Sequence, residues 1–126
     1  MKARRVLVAI LVCLLAIASL SARPHQPPTL TAKQAKGHVG ETAKVCGLVA
    51  SVHFAFKTRG QPTFLNFGKP YPHQMFAAVI WGLDRGKFGD PQQQYINKHI
   101  CVTGPIRAWH GQPEMALHSP KQVTEK

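Results

Sequence analysis

The sequence predicts an all-β domain with short helices, built as a five-stranded Greek-key barrel. Three observations lead there. Five apolar segments rich in β-branched and aromatic residues are separated by turn residues. The first and fourth segments each contain a glycine, Gly47 and Gly104, where the strands of a small barrel have to bend. A helical segment opening on Asp90-Pro91 stands between the third and fourth. That order of elements matches a Greek key.

The chain has 126 residues, which sets an expectation of one domain. Its start is not part of that domain. Lys2, Arg4 and Arg5 precede an apolar run from Val6 to Leu20, and Ser19-Leu20-Ser21-Ala22 offers small residues for cleavage. This reads as a secretory signal peptide over residues 1–22, cut after Ser21 or Ala22. The run is shorter than the ~20 apolar residues of a span, so no stable membrane insertion is expected after processing. The expected location is the periplasm or the medium. Residues 23–30 carry three prolines and read as a disordered lead-in, leaving residues 31–123 as the folded domain.

Within that domain, Thr31 suits the N-cap of a short helical turn and Gly37 its stop. Thr42 to Phe56 is a long first strand. Ala43, Val45, Gly47 and Val49 form one row and Lys44, Cys46, Leu48 and Ala50 the other, with Gly47 marking a bulge or bend. Lys57 to Gly60 is a turn, and Thr63 to Phe67 the second strand. Gly68-Lys69-Pro70-Tyr71-Pro72 is too proline-rich for a helix and leaves Lys69 and Tyr71 exposed. Met75 to Trp81 is the third strand, with Trp81 expected in the core. Asp90 caps a helix through Ile96, which Asn97 ends in a left-handed conformation. Lys98 to Trp109 is the fourth strand, His110 to Pro113 a turn, and Glu114 to His118 the fifth.

Composition adds two constraints. Sixteen Lys and Arg against five Asp and Glu give +11; the signal peptide takes away three basic residues and no acidic ones, leaving +8. Such a surface attracts polyanions, although a solvated basic surface that only confers solubility has the same composition. Without Cys13, two cysteines remain, Cys46 and Cys101. In an oxidising compartment an even count favours a disulfide over two buried thiols, and the two can meet if their strands are neighbours.

At this point the sequence resembles the small bacterial OB-fold domains of the tRNA-anticodon/helicase nucleic-acid-binding type, some of them secreted. The matching stretches are Val45-Cys46-Gly47-Leu48-Val49, Pro62 to Gly68, Phe76 to Trp81, and Ile100 to Ile106 with Gly111-Gln112-Pro113. The resemblance covers nearly the whole mature chain. It implies that the first and fourth strands are neighbours, in agreement with a Cys46–Cys101 pair. It also implies a ligand lying across the second and third strands, flanked by two loops.

Catalytic chemistry has little to stand on. After processing the acids are Glu41, Asp84, Asp90, Glu114 and Glu125, in no acid/base arrangement, and the histidines show no ligand spacing. We therefore expect a non-enzyme without metal or cofactor. Binding has more. Lys57, Arg59, Lys69 and Arg107 are placed to neutralise phosphates, Tyr71 and Trp109 to stack on bases, and His110 and Gln112 to line the second loop. One of Phe64 and Phe67 joins the stacking face; alternation puts them on opposite faces without saying which is exposed. The expected ligand is single-stranded nucleic acid with little sequence preference, or another polyanion. The alternative is an envelope module that uses the same face for an anionic glycan, lipid head group or protein. No particular protein partner is indicated.

Overall fold

A computed structural model describes residues 20–126, so the expected signal peptide lies outside the described residues except for its last three. The first ordered element is a short strand, β1 (Thr29–Thr31), followed by a 3-10 turn over Lys33–Gly37. Then come β2 (Thr42–Phe54), β3 (Thr63–Phe67), β4 (Phe76–Ile80), helix α1 (Gly82–Arg85) and helix α2 (Pro91–Tyr95). The chain closes with β5 (His99–Pro105), β6 (Arg107–Trp109), β7 (Gln112–Ala116) and β8 (Val123–Glu125).

Hydrogen bonding joins these into an eight-stranded mixed sheet in the order β6-β7-β4-β3-β2-β5-β8, with β1 parallel to β2. The path runs from β6 to β8 with no ladder between those two ends. The long strand β2 organises it. Its first half, through Leu48, pairs with β5; from Val49 onward it pairs with β3. The register shifts between Val49 and Ser51, so the bulge lies at Ala50; Gly47, expected to mark a bulge or bend, is paired in register with Ile100. Gly47 has a different job. A Cβ there would sit 3.1 Å from Phe67 Cδ1, so the missing side chain lets the Phe67 ring pack over the strand.

Three strands exceed the expected five. β1 takes up Thr29 and Leu30 from the segment read as lead-in, because buried Leu30 gives it an anchor beside Val45. The expected fourth strand divides at Ile106. Pro105 has no N–H to donate, and Ile106 instead donates to Glu41 O while its carbonyl accepts from Gly40 N, which carries the chain around a corner. β8 holds one apolar residue, Val123, too little to read as a strand before its partner β5 is known.

The caps follow their residues. The Asp90 side chain accepts from Gln92 N and Gln93 N with Pro91 in the first turn, and Asn97 is left-handed at φ 59°. Thr31 and Gln34 exchange side-chain bonds as a capping pair, although the 3-10 turn itself starts after Ala32.

The core lies on one side of the sheet. Val45, Val49, Leu65, Phe67, Phe76, Ala78, Ile80, Ile100, Val102 and Met115 are buried there, with Phe88 and Tyr95 coming in from the helical segment. Phe67 and Phe76 meet edge to face at 5.2 Å. Trp81 is not part of the core: it is 41% exposed. β4 ends at Ile80, and Trp81 is the extended residue that opens α1, its ring lying against Gly60 instead. Cys46 and Cys101 sit directly opposite each other on β2 and β5 and form a disulfide.

Candidate functional site

Alternation fixes what the other side of the sheet presents. With Leu65 and Phe67 turned to the core, Phe64 and Asn66 face outward. The ladder carries that face across neighbouring strands: Ser51 stands opposite Asn66, His53 opposite Phe64, Ala77 opposite Asn66, and Glu114 opposite Ala77. Two connections raise walls around this floor. The segment after β3 contributes Pro70, Tyr71, Pro72 and Gln74, and the β6–β7 hairpin contributes Trp109, His110 and Gln112. Together they enclose a groove of about 910 Å³.

Several side chains here have defined roles. Asn66 is buried and donates from Nδ2 to Ser51 Oγ at 3.0 Å, which fixes the floor. Gln74 Oε1 is shielded at the wall without a hydrogen-bond partner, leaving an unused acceptor. Tyr71 is 73% exposed and Trp109 61%, and the indole stands edge-on to the His110 ring at 4.5 Å. Left-handed His110 and Gly111 (φ 48° and 76°) make the tight turn that holds both at the rim. Glu114 is the groove's carboxylate. Burial pushes its pKa above the usual 4.5, while His110 and Arg107 pull it back down. A raised folded-state value means that Glu114 contributes stability below about pH 4.5, which is lost as pH rises through the folded value.

Of the residues expected to form the site, the groove brings together Tyr71, Trp109, His110 and Gln112. Lys57, Arg59, Lys69 and Arg107 do not line it; all four are exposed. Lys57 and Arg59 flank Thr58, which does line it; Lys69 adjoins Pro70, and Arg107 is opposite Glu114 in the ladder. Phe64 lines the groove and Phe67 is core, which settles the pair that alternation left open. Ser51, His53, Asn66, Gln74 and Glu114 were not anticipated. Asn66 could have been found from its position opposite the apolar row of β3; Ser51 and His53 share the sequence parity of Val45 and Val49 and reach the groove face only because the bulge at Ala50 shifts the register. Among the described residues, no group of three or more His, Cys, Asp or Glu is placed to hold a metal ion.

No protein-family model matches the chain, and no curated protein matches it. Among solved structures, its fold is similar to part of a Leishmania major Friedlin protein described as an aspartyl-tRNA synthetase. The two superpose with a TM-score of 0.52 at 13% identity, over 86% of this chain and 23% of the other. The likeness is one of fold, and this chain spans less than a quarter of that protein's length.

Proposed function

We propose that this chain is an exported OB-fold binding protein, without catalytic activity, that takes single-stranded nucleic acid across the β2-β3-β4-β7 face with little sequence preference. The observation that carries this reading is the convergence of Phe64, Tyr71 and Trp109, from three separate segments, on one open groove. Aromatic faces accept any base by stacking, and a groove without lysine or arginine in its lining leaves the phosphates outside, where Lys57, Arg59, Lys69 and Arg107 stand. The similarity of fold to part of a tRNA synthetase supports it at the level of architecture. The Cys46–Cys101 disulfide suits an oxidising compartment and so supports export. Nucleic acid is scarce in such compartments, and this favours the second reading, an envelope module binding an anionic glycan, lipid head group or protein.

Salt dependence separates the two classes of contact. Losing one of Lys69 or Arg107 weakens binding alike across oligonucleotide sequences and lowers the salt slope by about 0.7. Losing Tyr71 or Trp109 costs about 1–3 kcal/mol and leaves that slope nearly unchanged. If Trp109→Ala binds oligonucleotide as the parent does, while every basic variant weakens all polyanions equally, the envelope reading replaces this one.

Glu114 supplies a further check. Its charge opposes an anionic ligand, so Glu114→Gln is expected to bind oligonucleotide more tightly at neutral pH. The advantage should shrink as pH falls and the parent's Glu114 takes up its proton, since its folded pKa lies above the usual 4.5. Equal affinity of parent and variant across a pH titration would place the ligand away from this wall.

A further inference from the structure

The rung formed by Phe54, Thr63 and Ile80 ends one side of the sheet, and the chain just beyond it is apolar or cationic. β2 runs out into Phe56, 59% exposed, and β4 into Trp81 and then Leu83, which is 99% exposed. These exits are tied together. Gly82 N donates to Gly60 O at 2.9 Å, Gln61 Nε2 donates to Phe56 O at 3.2 Å, and the Trp81 ring lies against Gly60. Cations sit among them. Lys57 Nζ is 5.7 Å from the Phe56 ring centroid, the Arg85 guanidinium is 4.1 Å over Phe54, and Arg59 stands exposed in the loop. The nearby acid, Asp84, is already taken by Lys87 at 2.7 Å and His118 at 2.9 Å.

We infer that this end of the molecule docks peripherally on an anionic phospholipid surface, with Leu83, Trp81 and Phe56 entering the head-group boundary and Lys57 and Arg59 meeting the lipid phosphates. A wholly exposed leucine offers nothing to a nucleic acid, which rewards aromatic faces and charge. A fluid apolar layer rewards it without needing a complementary shape. Tryptophan and phenylalanine suit the head-group level, and long basic side chains reach past them to phosphate. Each lysine or arginine near an anionic surface raises partitioning by about fivefold. No described helix is long and apolar enough to cross a membrane, and none is needed for this contact. The apolar part of this contact lies off the groove, since Leu83, Trp81 and Phe56 do not line it, whereas Lys57 and Arg59 flank Thr58 and stand beside both surfaces.

The chain has two tryptophans, so a Trp109→Phe variant reports Trp81 alone. With vesicles of equal phosphatidylglycerol and phosphatidylcholine, Trp81 emission is expected to shift to the blue and to be quenched by spin-labelled lipid. Phosphatidylcholine vesicles should leave it unchanged. Adding Leu83→Asp, or Lys57→Glu with Arg59→Glu, is expected to raise the lipid concentration for half-maximal shift at least about tenfold. Leu83→Asp alone should leave oligonucleotide binding at the parent level, which shows that the fold is intact. Trp81 emission unmoved by saturating anionic vesicles would overturn the inference. So would an equal response to neutral vesicles, or a Leu83→Asp variant that responds as its parent does.

Discussion

Replacing Cys46 and Cys101 together by alanine is expected to lower the free energy of unfolding by about 4 kcal/mol. The two residues are 55 apart in sequence, and closing a loop of that length removes about this much chain entropy from the unfolded state. The cysteines face each other directly across the β2–β5 ladder, with their Cα atoms 4.0 Å apart. Total stability of a small domain is only about 5–15 kcal/mol, so the loss is a large share of it. Urea unfolding of the parent and the double variant should show well-separated midpoints, and a reductant should bring the parent's down to the variant's. Coincident midpoints would mean that the bridge does not form in the folded protein.

The two phenylalanines of β3 give the second large effect, and they should part company. Phe67→Ala removes a fully buried ring that packs over Gly47 and edge-to-face against Phe76, and is expected to cost about 3–5 kcal/mol of stability. Phe64→Ala lies on the groove face and should cost far less stability, but about 1–3 kcal/mol of oligonucleotide affinity. Denaturation and binding curves on the same two variants check both halves. A Phe64→Ala variant that is badly destabilised yet binds normally would reverse the assignment of the two faces.

How much of this was legible beforehand depended on whether the cause was local. β3 reads directly from Thr63-Phe64-Leu65-Asn66-Phe67, because a turn, an alternation and β-forming residues all agree there. The Asp90-Pro91 cap and the Asn97 stop are equally local, and both appear. β1 and β8 are strands only because β2 and β5 offer them edges, and three residues with one apolar anchor carry no such signal alone. The bulge at Ala50 was invisible for the same reason: it arises where β2 changes partners, which is a property of the sheet. Trp81 misled because an apolar run does not announce the residue at which it leaves the sheet.

The site divides in the same way. Tyr71 and Trp109 were readable as exposed aromatics in proline- and glycine-marked connections, and they meet at the groove. Lys57 and Arg59 were readable as loop cations, but not as residues outside the lining. His53 and Glu114 become groove residues only through register, which sets each beside a partner on another strand.

The central claim, that the groove holds single-stranded nucleic acid by stacking, is tested most directly by the Trp109 indole itself. In a Trp81→Phe variant, Trp109 is the sole tryptophan. Titration with a mixed-sequence single-stranded oligonucleotide is predicted to quench it saturably, because a stacked base lies against the ring, while an anionic polysaccharide of similar charge should leave the emission nearly unchanged. Emission that stays constant while the oligonucleotide binds, or that falls equally with the polysaccharide, would contradict the claim.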